Sequence, residues 1–229
     1  MTPLLEICTY TINDCIEAQR GGADRIELCS NMPEGGTTPS CGTMIAVRKH
    51  IDIAMHVMIR PRGGNFVYDK HEVRIMLDDI RMAKHCGTNG LVFGCLTADY
   101  EVDINVCRLL IDEANPLPVT FHRAFDECKH PEQSLEKIIN LGFSRLLTSG
   151  QCAVAEDGIQ LLRQLVKQSA NRIIIMPGSG ITPNNIEKIA IETGANEFHT
   201  SAQAIRGKGT KAETVAKCVE KLKVLNLTA

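Results

Sequence analysis

Residues 118–149, PVTFHRAFDECKHPEQSLEKIINLGFSRLLTS, contain one complete strand–helix–strand unit. The run PVTFH predicts a strand over Pro118–His122, and the next apolar run predicts another over Arg145–Ser149. Between them, the spacing of apolar residues predicts a helix over Pro131–Leu141, followed by Gly142, a residue that commonly ends helices. A strand, a helix and a second strand in this order are typical of a parallel sheet.

The same unit repeats along the whole chain, with no linker or low-complexity stretch between repeats. Eight such units favour a single (β/α)8 barrel, a TIM barrel, over residues 1–229, and an open doubly wound sheet is the alternative. The length of 229 residues is close to that of one such barrel. The other predicted strands are Leu4–Cys8, Arg25–Cys29, Met55–Arg60, Gly90–Gly94, Arg172–Met176 and Glu197–Ser201. The other predicted helices are Asp69–His85, Asn105–Asn115, Glu156–Ala170 and Pro183–Thr193. Left-handed helix ends are predicted at Gly21, Gly87, Gly142 and Gly194.

The composition describes an ordinary soluble protein, with 44% hydrophobic and 23% charged residues. A net charge of -2, without dense runs of Lys or Arg, argues against nucleic-acid and anionic-membrane partners. No apolar stretch has the length of a membrane span, and the start MTPLLEICTY does not resemble a secretion signal. We therefore expect a cytoplasmic protein, and a homo-oligomer is an open alternative.

Ten cysteines are scattered along the chain without a C-x-x-C pair. In a reducing compartment they are expected to be free thiols, and most free cysteines behave as small buried apolar residues. The spacing typical of zinc fingers is absent from the sequence.

The strands carry unusually polar residues on one face. Successive strand side chains point to opposite faces, so one parity of each strand faces the helices and the other faces the barrel axis. The apolar parity includes Leu5, Ile7, Ile26 and Leu28, and should face the helices. The parity expected to face the axis carries Glu6, Cys8, Arg25, Glu27, Cys29, His56, Met58, Arg60, Thr120, His122, Glu197 and His199.

Barrel interiors are normally filled by branched aliphatic residues, so this polar set favours a functional site where the strands end. We expect Glu6, Glu27, His56, Arg60 and His122 to line one cavity there. The structural alternative is that Arg25, Arg60, Glu6 and Glu27 only form ion pairs inside the barrel.

The loops after the strands add candidate anion-binding groups. Arg60 and Arg62 follow the third strand, and a guanidinium suits a carboxylate or phosphate. After the seventh strand, Gly178, Ser179 and Gly180 precede the helix predicted from Pro183, where a glycine turn commonly binds an anion. Further candidates at the rim are His122, Arg123, Asp126 and Ser149.

Several segments resemble the CutC family of copper-homeostasis proteins. They are GGADRIELC, EGGTTPS, MIRPRGGNF, GLVFG, LPVTFHRAFD, LLTSG, IMPGSGIT and EFHTSA, which run in order between Glu6 and about Ala202. The resemblance implies a (β/α)8 barrel, a cytoplasmic location and a role in copper handling with Cu(I) as the ligand. Two cysteines of the family pattern carry over to Cys8 and Cys29.

The residues themselves are compatible with copper. Cys8 and Cys29 end adjacent strands with the same parity, and soft sulfur ligands select Cu(I). Met58, Cys95 and Cys128 lie on or near the same rim and could supplement them. No organic cofactor is predicted, and the copper ion is the expected partner.

A different class of function accounts for the charged residues that copper does not need. In this alternative the chain is a lyase, isomerase or hydrolase acting on a small anionic metabolite. The arginines and the glycine turn would hold the anion, and the catalytic candidates are Glu6, Glu27, His122 and Asp126. The glutamates with His56, His122 and His199 could also ligate a harder divalent metal such as Zn or Mn.

Overall fold

The computed structural model describes residues 3–203 and 208–224. Eight parallel strands form a nearly closed barrel with the order β7-β6-β5-β4-β3-β2-β1-β8, and helices surround it. The predicted (β/α)8 barrel is confirmed, and the open doubly wound sheet is excluded because β8 pairs with β1 and also contacts β7. Within the described ranges, no helix combines the length and apolarity needed to cross a bilayer.

Each predicted strand exists, with its ends shifted by a few residues. The strands are β1 (Leu4–Thr9), β2 (Arg25–Leu28), β3 (Ala54–Met58), β4 (Gly90–Phe93), β5 (Val119–Phe121), β6 (Arg145–Thr148), β7 (Ile174–Pro177) and β8 (Glu197–Thr200). Most are shorter than predicted at their C-terminal ends, because Cys29, Arg60, His122 and Ser149 already belong to the loops that carry the site.

The helices are α1 (Ile12–Arg20), α2 (Cys41–Arg48), α3 (Lys70–His85), α4 (Ile104–Ala114), α5 (Pro131–Leu141), α6 (Ile159–Ser169), α7 (Ile186–Thr193) and α8 (Ala212–Val224). Local chemistry sets several of their ends. Asp69 caps α3 by accepting from the backbone N–H groups of His71 and Glu72, and Glu72 reaches back to Asp69, a reciprocal capping box. Helix α7 begins three residues after the predicted Pro183, because residues 182–185 form a separate turn before it.

The main core lies between the strands and the helices. Leu5, Ile7, Ile26 and Leu28 are all buried in it, on the apolar parity of β1 and β2. Their burial against the helices leaves the opposite parity to face the barrel axis. The parity split predicted from the sequence is therefore present on these strands.

One predicted helix end is wrong. Gly21 was expected in the left-handed conformation, but its φ is −77° and the left-handed residue is Gly22, with φ 86°. Gly21 is required for a different reason, since a Cβ there would lie 2.4 Å from the Cβ of Val215 on α8. The close approach of α8, not the turn, excludes a side chain at this position.

Candidate functional site

A buried charge network fills the lower part of the barrel axis. The guanidinium of Arg25 pairs with Glu6 and, at 2.6 Å, with Glu197, which also pairs with Arg145 at 2.7 Å. Burial opposes ionisation of Glu6, but Arg25, His199 and His56 together outweigh it and lower the pKa of Glu6 well below its usual range. The alternative that the charged residues only form ion pairs inside the barrel is therefore correct for Arg25 and Glu6.

A cavity of about 760 Å³ opens above this network, at the C-terminal ends of the strands. Its floor includes Cys8 from β1, Glu27 from β2, Met58 from β3 and His199 from β8. A cavity at this end of the barrel is where proteins of this fold bind their ligands.

The cavity prediction was correct for three of its five residues. Glu27, Arg60 and His122 line it, whereas Glu6 and His56 lie below the floor, 1% and 3% exposed. Glu6 and His56 each lie two positions before the inward-facing residue of the same strand that lines the cavity. Their side chains are therefore deeper along the barrel axis. Burial lowers the pKa of His56 to about 4, so its imidazole is neutral near pH 7.

Two thiols meet where Cys8 lines the cavity. Cys8 and Cys29 share a small buried cluster with Met58 and Val92, and Tyr10 packs against it. The Cys8 thiol lies 3.3 Å from the Tyr10 hydroxyl. The Cys29 thiol and the ring of His199 hydrogen-bond with the Cys8 sulfur and hold its pKa well below its usual range, although burial opposes this.

Tyr10 and Gly36 are parts of this site that the sequence prediction missed. Tyr10 follows Cys8 by two residues, so the alternation of strand side chains could have indicated it. A Cβ on Gly36 would lie 3.2 Å from the Cys29 sulfur, and φ at Gly36 is 98°. Glycine therefore lets the loop after β2 cover the thiols, a contact between segments that no local pattern indicates.

One histidine and two glutamates lie beside the thiol cluster. Nδ1 of His199 lies 2.8 Å from Oε1 of Glu6, and Nε2 of the same ring lies 3.7 Å from Oε2 of Glu27. Burial would lower the pKa of His199, but Glu27, Cys8 and Glu6 raise it well above 6.5. Burial and the nearby Cys8 sulfur raise the pKa of Glu27.

Arg60 lines the cavity but is largely occupied by the backbone. Its guanidinium donates to the carbonyl oxygens of Glu34 at 2.7 Å, Gly36 at 3.0 Å and Gly64 at 2.7 Å. Its plane lies over the Phe66 ring, 4.8 Å from the centroid. Arg60 therefore ties the loops after β2 and β3 together, and it pairs with neither glutamate of the ion-pairing alternative.

Two further candidates for anion binding and catalysis do not reach the cavity. Arg62 turns away from it, pairs with Glu72 at 2.5 Å and donates to the carbonyl oxygens of Asn65 and Val67. Asp126 accepts from the Ser149 hydroxyl at 2.9 Å and from backbone N–H groups of residues 149 and 151. Asp126 therefore organises the loop after β6, and a catalytic role for it does not fit this position.

Of the remaining candidates at the rim, some line the cavity and others are engaged in contacts that hold the loops. Arg123 lines the cavity while pairing with Asp126 at 2.7 Å, and Ser149 is buried between them. Ser179 and Gly180 also line the cavity, whereas the Gly178 N–H is already bonded to the carbonyl of Thr148 at 3.0 Å. Ser179 and Gly180 thus keep the position predicted for an anion site, and Gly178 does not take part.

The imidazole of His122 is buried beside Phe66, whose ring centroid is 4.8 Å away. Nδ1 accepts from the backbone N–H of Ala124 at 3.2 Å, and burial, assisted by Arg60, lowers the pKa of His122 to about 3. His122 is therefore a neutral histidine near pH 7.

All ten cysteines lie within the described residues and are free thiols. Cys95 and Cys128, which from the sequence could have supplemented the copper site, belong instead to the core between sheet and helices. Their strands or loops turn these side chains outward from the axis. The structure also places the Cys41 and Cys86 sulfurs 3.2 Å apart, a second thiol pair that sequence spacing did not indicate.

Comparison with known proteins decides the family. The model of the CutC family matches residues 3–204. The chain belongs to the CutC family of copper homeostasis proteins. A human copper homeostasis protein cutC homolog is 49% identical over 208 residues, which cover 91% of this chain and 76% of the relative. A CutC family protein from Bacteroides thetaiotaomicron is 53% identical over 199 residues, covering 86% and 80% of the two chains.

Solved structures agree with this assignment. The CutC protein of Streptococcus agalactiae superposes with a TM-score of 0.83 at 36% identity, covering 87% of this chain and 98% of that one. Phosphoribosylanthranilate isomerase from Thermotoga maritima superposes with a TM-score of 0.63 at 14% identity, covering 97% and 99% of the two chains. The second likeness shows the barrel fold alone.

Proposed function

We propose that this CutC family member binds Cu(I) through Cys8 and Cys29 and buffers or delivers copper in the cytosol. The observation that carries the proposal is that the thiol of Cys29, directly after β2, shares one cluster with the thiol of Cys8 on β1, which lines the cavity. Thiolate and thioether donors prefer Cu(I) to harder cations, and Met58 adds a thioether to the same cluster.

Access and ionisation both favour Cys8 over the other thiols, whereas the hydrogen bond with Cys8 and burial raise the pKa of Cys29 well above the usual range. Cys8 lines the cavity, and its lowered pKa supplies the deprotonated sulfur that a metal ligand requires. Burial and the neighbouring Cys41 instead raise the pKa of Cys86 to about 11. Cys86 therefore does not offer the readily ionised sulfur that Cys8 offers.

The cytosolic location is supported by the ten free thiols, which a reducing compartment preserves. The alternative of a lyase, isomerase or hydrolase is less well supported, because Arg62 and Asp126, assigned to it from the sequence, are engaged outside the cavity.

The test is a Cu(I) titration of the reduced chain, without oxygen, against a competing chelator. Cys8→Ser and Cys29→Ser should each weaken Cu(I) binding by about 100-fold, which is roughly 3 kcal/mol. Cys41→Ser, which removes the second thiol pair, is the matched control and should change the affinity less than about threefold, under 1 kcal/mol. Wild-type affinity in both Cys8→Ser and Cys29→Ser would refute the proposal.

A further inference from the structure

Three different metal-binding groups converge at one point of the cavity floor. The sulfur of Cys8, a carboxylate oxygen of Glu27 and a ring nitrogen of His199 all lie within 4.8 Å of one another. The three residues come from β1, β2 and β8, which are neighbours in the sheet, and Cys8 stands in register with Glu27. All three are buried, yet each lines the cavity.

Glu27 lacks the partners that a buried carboxylate needs. Within residues 3–203 and 208–224, its Oε1 has no hydrogen-bond partner, and Oε2 lies 3.5 Å from the Cys29 thiol. The nearest buried arginine below the floor, Arg25, is bound to Glu6 and Glu197 instead. A carboxylate that is 2% exposed, with one oxygen unpartnered and the other in only long contacts with Cys29 and His199, is costly unless it is neutralised or binds a cation.

His199 is already oriented as a metal ligand. Its Nδ1 is held by Glu6 at 2.8 Å, so Nε2 points toward Glu27 and Cys8. Metal-bound histidines commonly donate their other ring nitrogen to a carboxylate, which fixes the ring and the tautomer. Glu6 is fixed in turn by Arg25, below the floor.

We propose that Cys8, Glu27 and His199 bind a divalent cation of the zinc type, with Glu6 as the positioning residue for His199. Thiolate, carboxylate and imidazole are the three ligand types of Zn(II) in proteins, whereas Cu(I) favours sulfur. This site goes beyond the Cu(I) site because it uses Glu27 and His199 and omits Cys29. The two metals share the Cys8 sulfur, so binding of one excludes the other.

The geometry also leaves room for a further ligand. Three protein ligands fill three positions of a tetrahedral ion, and the fourth faces a cavity of about 760 Å³. Structural zinc sites use four protein ligands, whereas zinc ions that bind water or substrate keep one position open. The cation would therefore hold a water molecule or a small oxygen-donor ligand in the cavity.

The experiment uses the full chain, stripped of metal under reducing conditions and titrated with Co(II) as a spectroscopic substitute for Zn(II). We expect one equivalent to bind, with the visible bands of a four-coordinate ion and a sulfur-to-cobalt charge-transfer band. Zn(II) should displace it. Glu27→Gln and His199→Gln should each weaken Co(II) and Zn(II) binding by about 100-fold or more. This loss exceeds the loss expected when a residue that only orients a metal ligand is removed. Cys8→Ser should abolish the charge-transfer band.

Cys29→Ser separates this site from the copper site. It should keep the cobalt spectrum and weaken Cu(I) binding by about 100-fold, while Glu27→Gln should weaken Co(II) binding and keep the affinity for Cu(I). One equivalent of Cu(I) should expel Co(II) from the wild-type chain. Circular dichroism and thermal melting establish that each variant is folded. A wild-type spectrum typical of six-coordinate Co(II), or unchanged affinity in Glu27→Gln, would overturn the zinc-type site while leaving the copper proposal intact.

Discussion

Nδ1 of His199 lies 2.8 Å from Oε1 of Glu6, although 193 positions separate the two residues in the sequence. The pairing of β1 with β8, with Glu6 in register with His199, closes the barrel and creates this contact. One carboxylate thereby connects the buried charge network to the cavity floor.

The first prediction concerns this contact. Glu6→Gln should weaken Co(II) and Zn(II) binding by about 10–100-fold, because the carboxylate that orients His199 is lost. Cu(I) binding should change little, because its two sulfur ligands are untouched. Glu197→Gln is the matched control, since it removes the other carboxylate bound to Arg25 without a contact to His199. Equal losses of metal affinity in both variants would indicate a general structural effect.

The second prediction concerns the stability of the charge network. Arg25→Met should lower the free energy of unfolding by about 3–5 kcal/mol, because Glu6 and Glu197 lose a buried counter-charge. The loss should be smaller at pH 5 than at pH 7, since without Arg25 the pKa of Glu6 rises and protonation relieves the unpaired charge.

The control for this prediction is the Arg172–Glu136 pair on the surface, whose side chains are 44% and 39% exposed. Arg172→Met should cost at most about 1 kcal/mol, because solvent screens such pairs. Urea unfolding measures both changes. Equal costs for the two arginines would show that burial does not set the strength of the Arg25 pairs.

The third prediction concerns pH. The folded-state pKa of His122 is lowered from 6.5 to about 3, so the unfolded chain binds its proton first as the pH falls. The stabilising contribution of neutral His122 is therefore present above pH 6.5 and is lost as the pH falls toward 3. His122→Asn, whose side-chain oxygen can still accept from Ala124, should reduce the slope of unfolding free energy against pH below 6.5 by up to about 1.4 kcal/mol per unit.

Urea unfolding between pH 7 and pH 4 measures this slope. His71→Asn is the control, because its side chain is exposed and removing it should leave the slope nearly unchanged. Parallel curves for wild type and His122→Asn would contradict the buried neutral state of His122.

The fourth prediction concerns the anion expected in the loop after β7. Inorganic phosphate should shift the backbone amide resonances of Ser179 and Gly180, which line the cavity with left-handed φ values of 78° and 68°. Arg123→Gln should weaken this effect, since Arg123 lines the same cavity. Arg62→Gln should not, because Arg62 pairs with Glu72 outside it. If phosphate shifts only amide resonances from other parts of the chain, this loop is a turn that does not bind the anion.

The sequence alone favoured the barrel and determined which residues face its axis. Side-chain alternation assigned Glu6, Cys8, Glu27 and His199 to the inner face, because the period of a strand is a local property of the backbone. Eight strand–helix units in succession favoured a barrel over an open sheet, and the structure decided between the two. Helix ends were less certain, as Gly21 shows, because a packing contact with Val215 outweighs the local turn preference there.

Only the tertiary structure decided which inward residues act together. It paired Arg25 with Glu6, placed His56 below the floor, engaged Arg60 with backbone carbonyls and turned Arg62 outward. It also brought His199 of the last strand beside Cys8 of the first. These outcomes depend on depth along the axis and on contacts between distant segments. Strand periodicity gives the face of a side chain, but it gives neither its depth nor its partner.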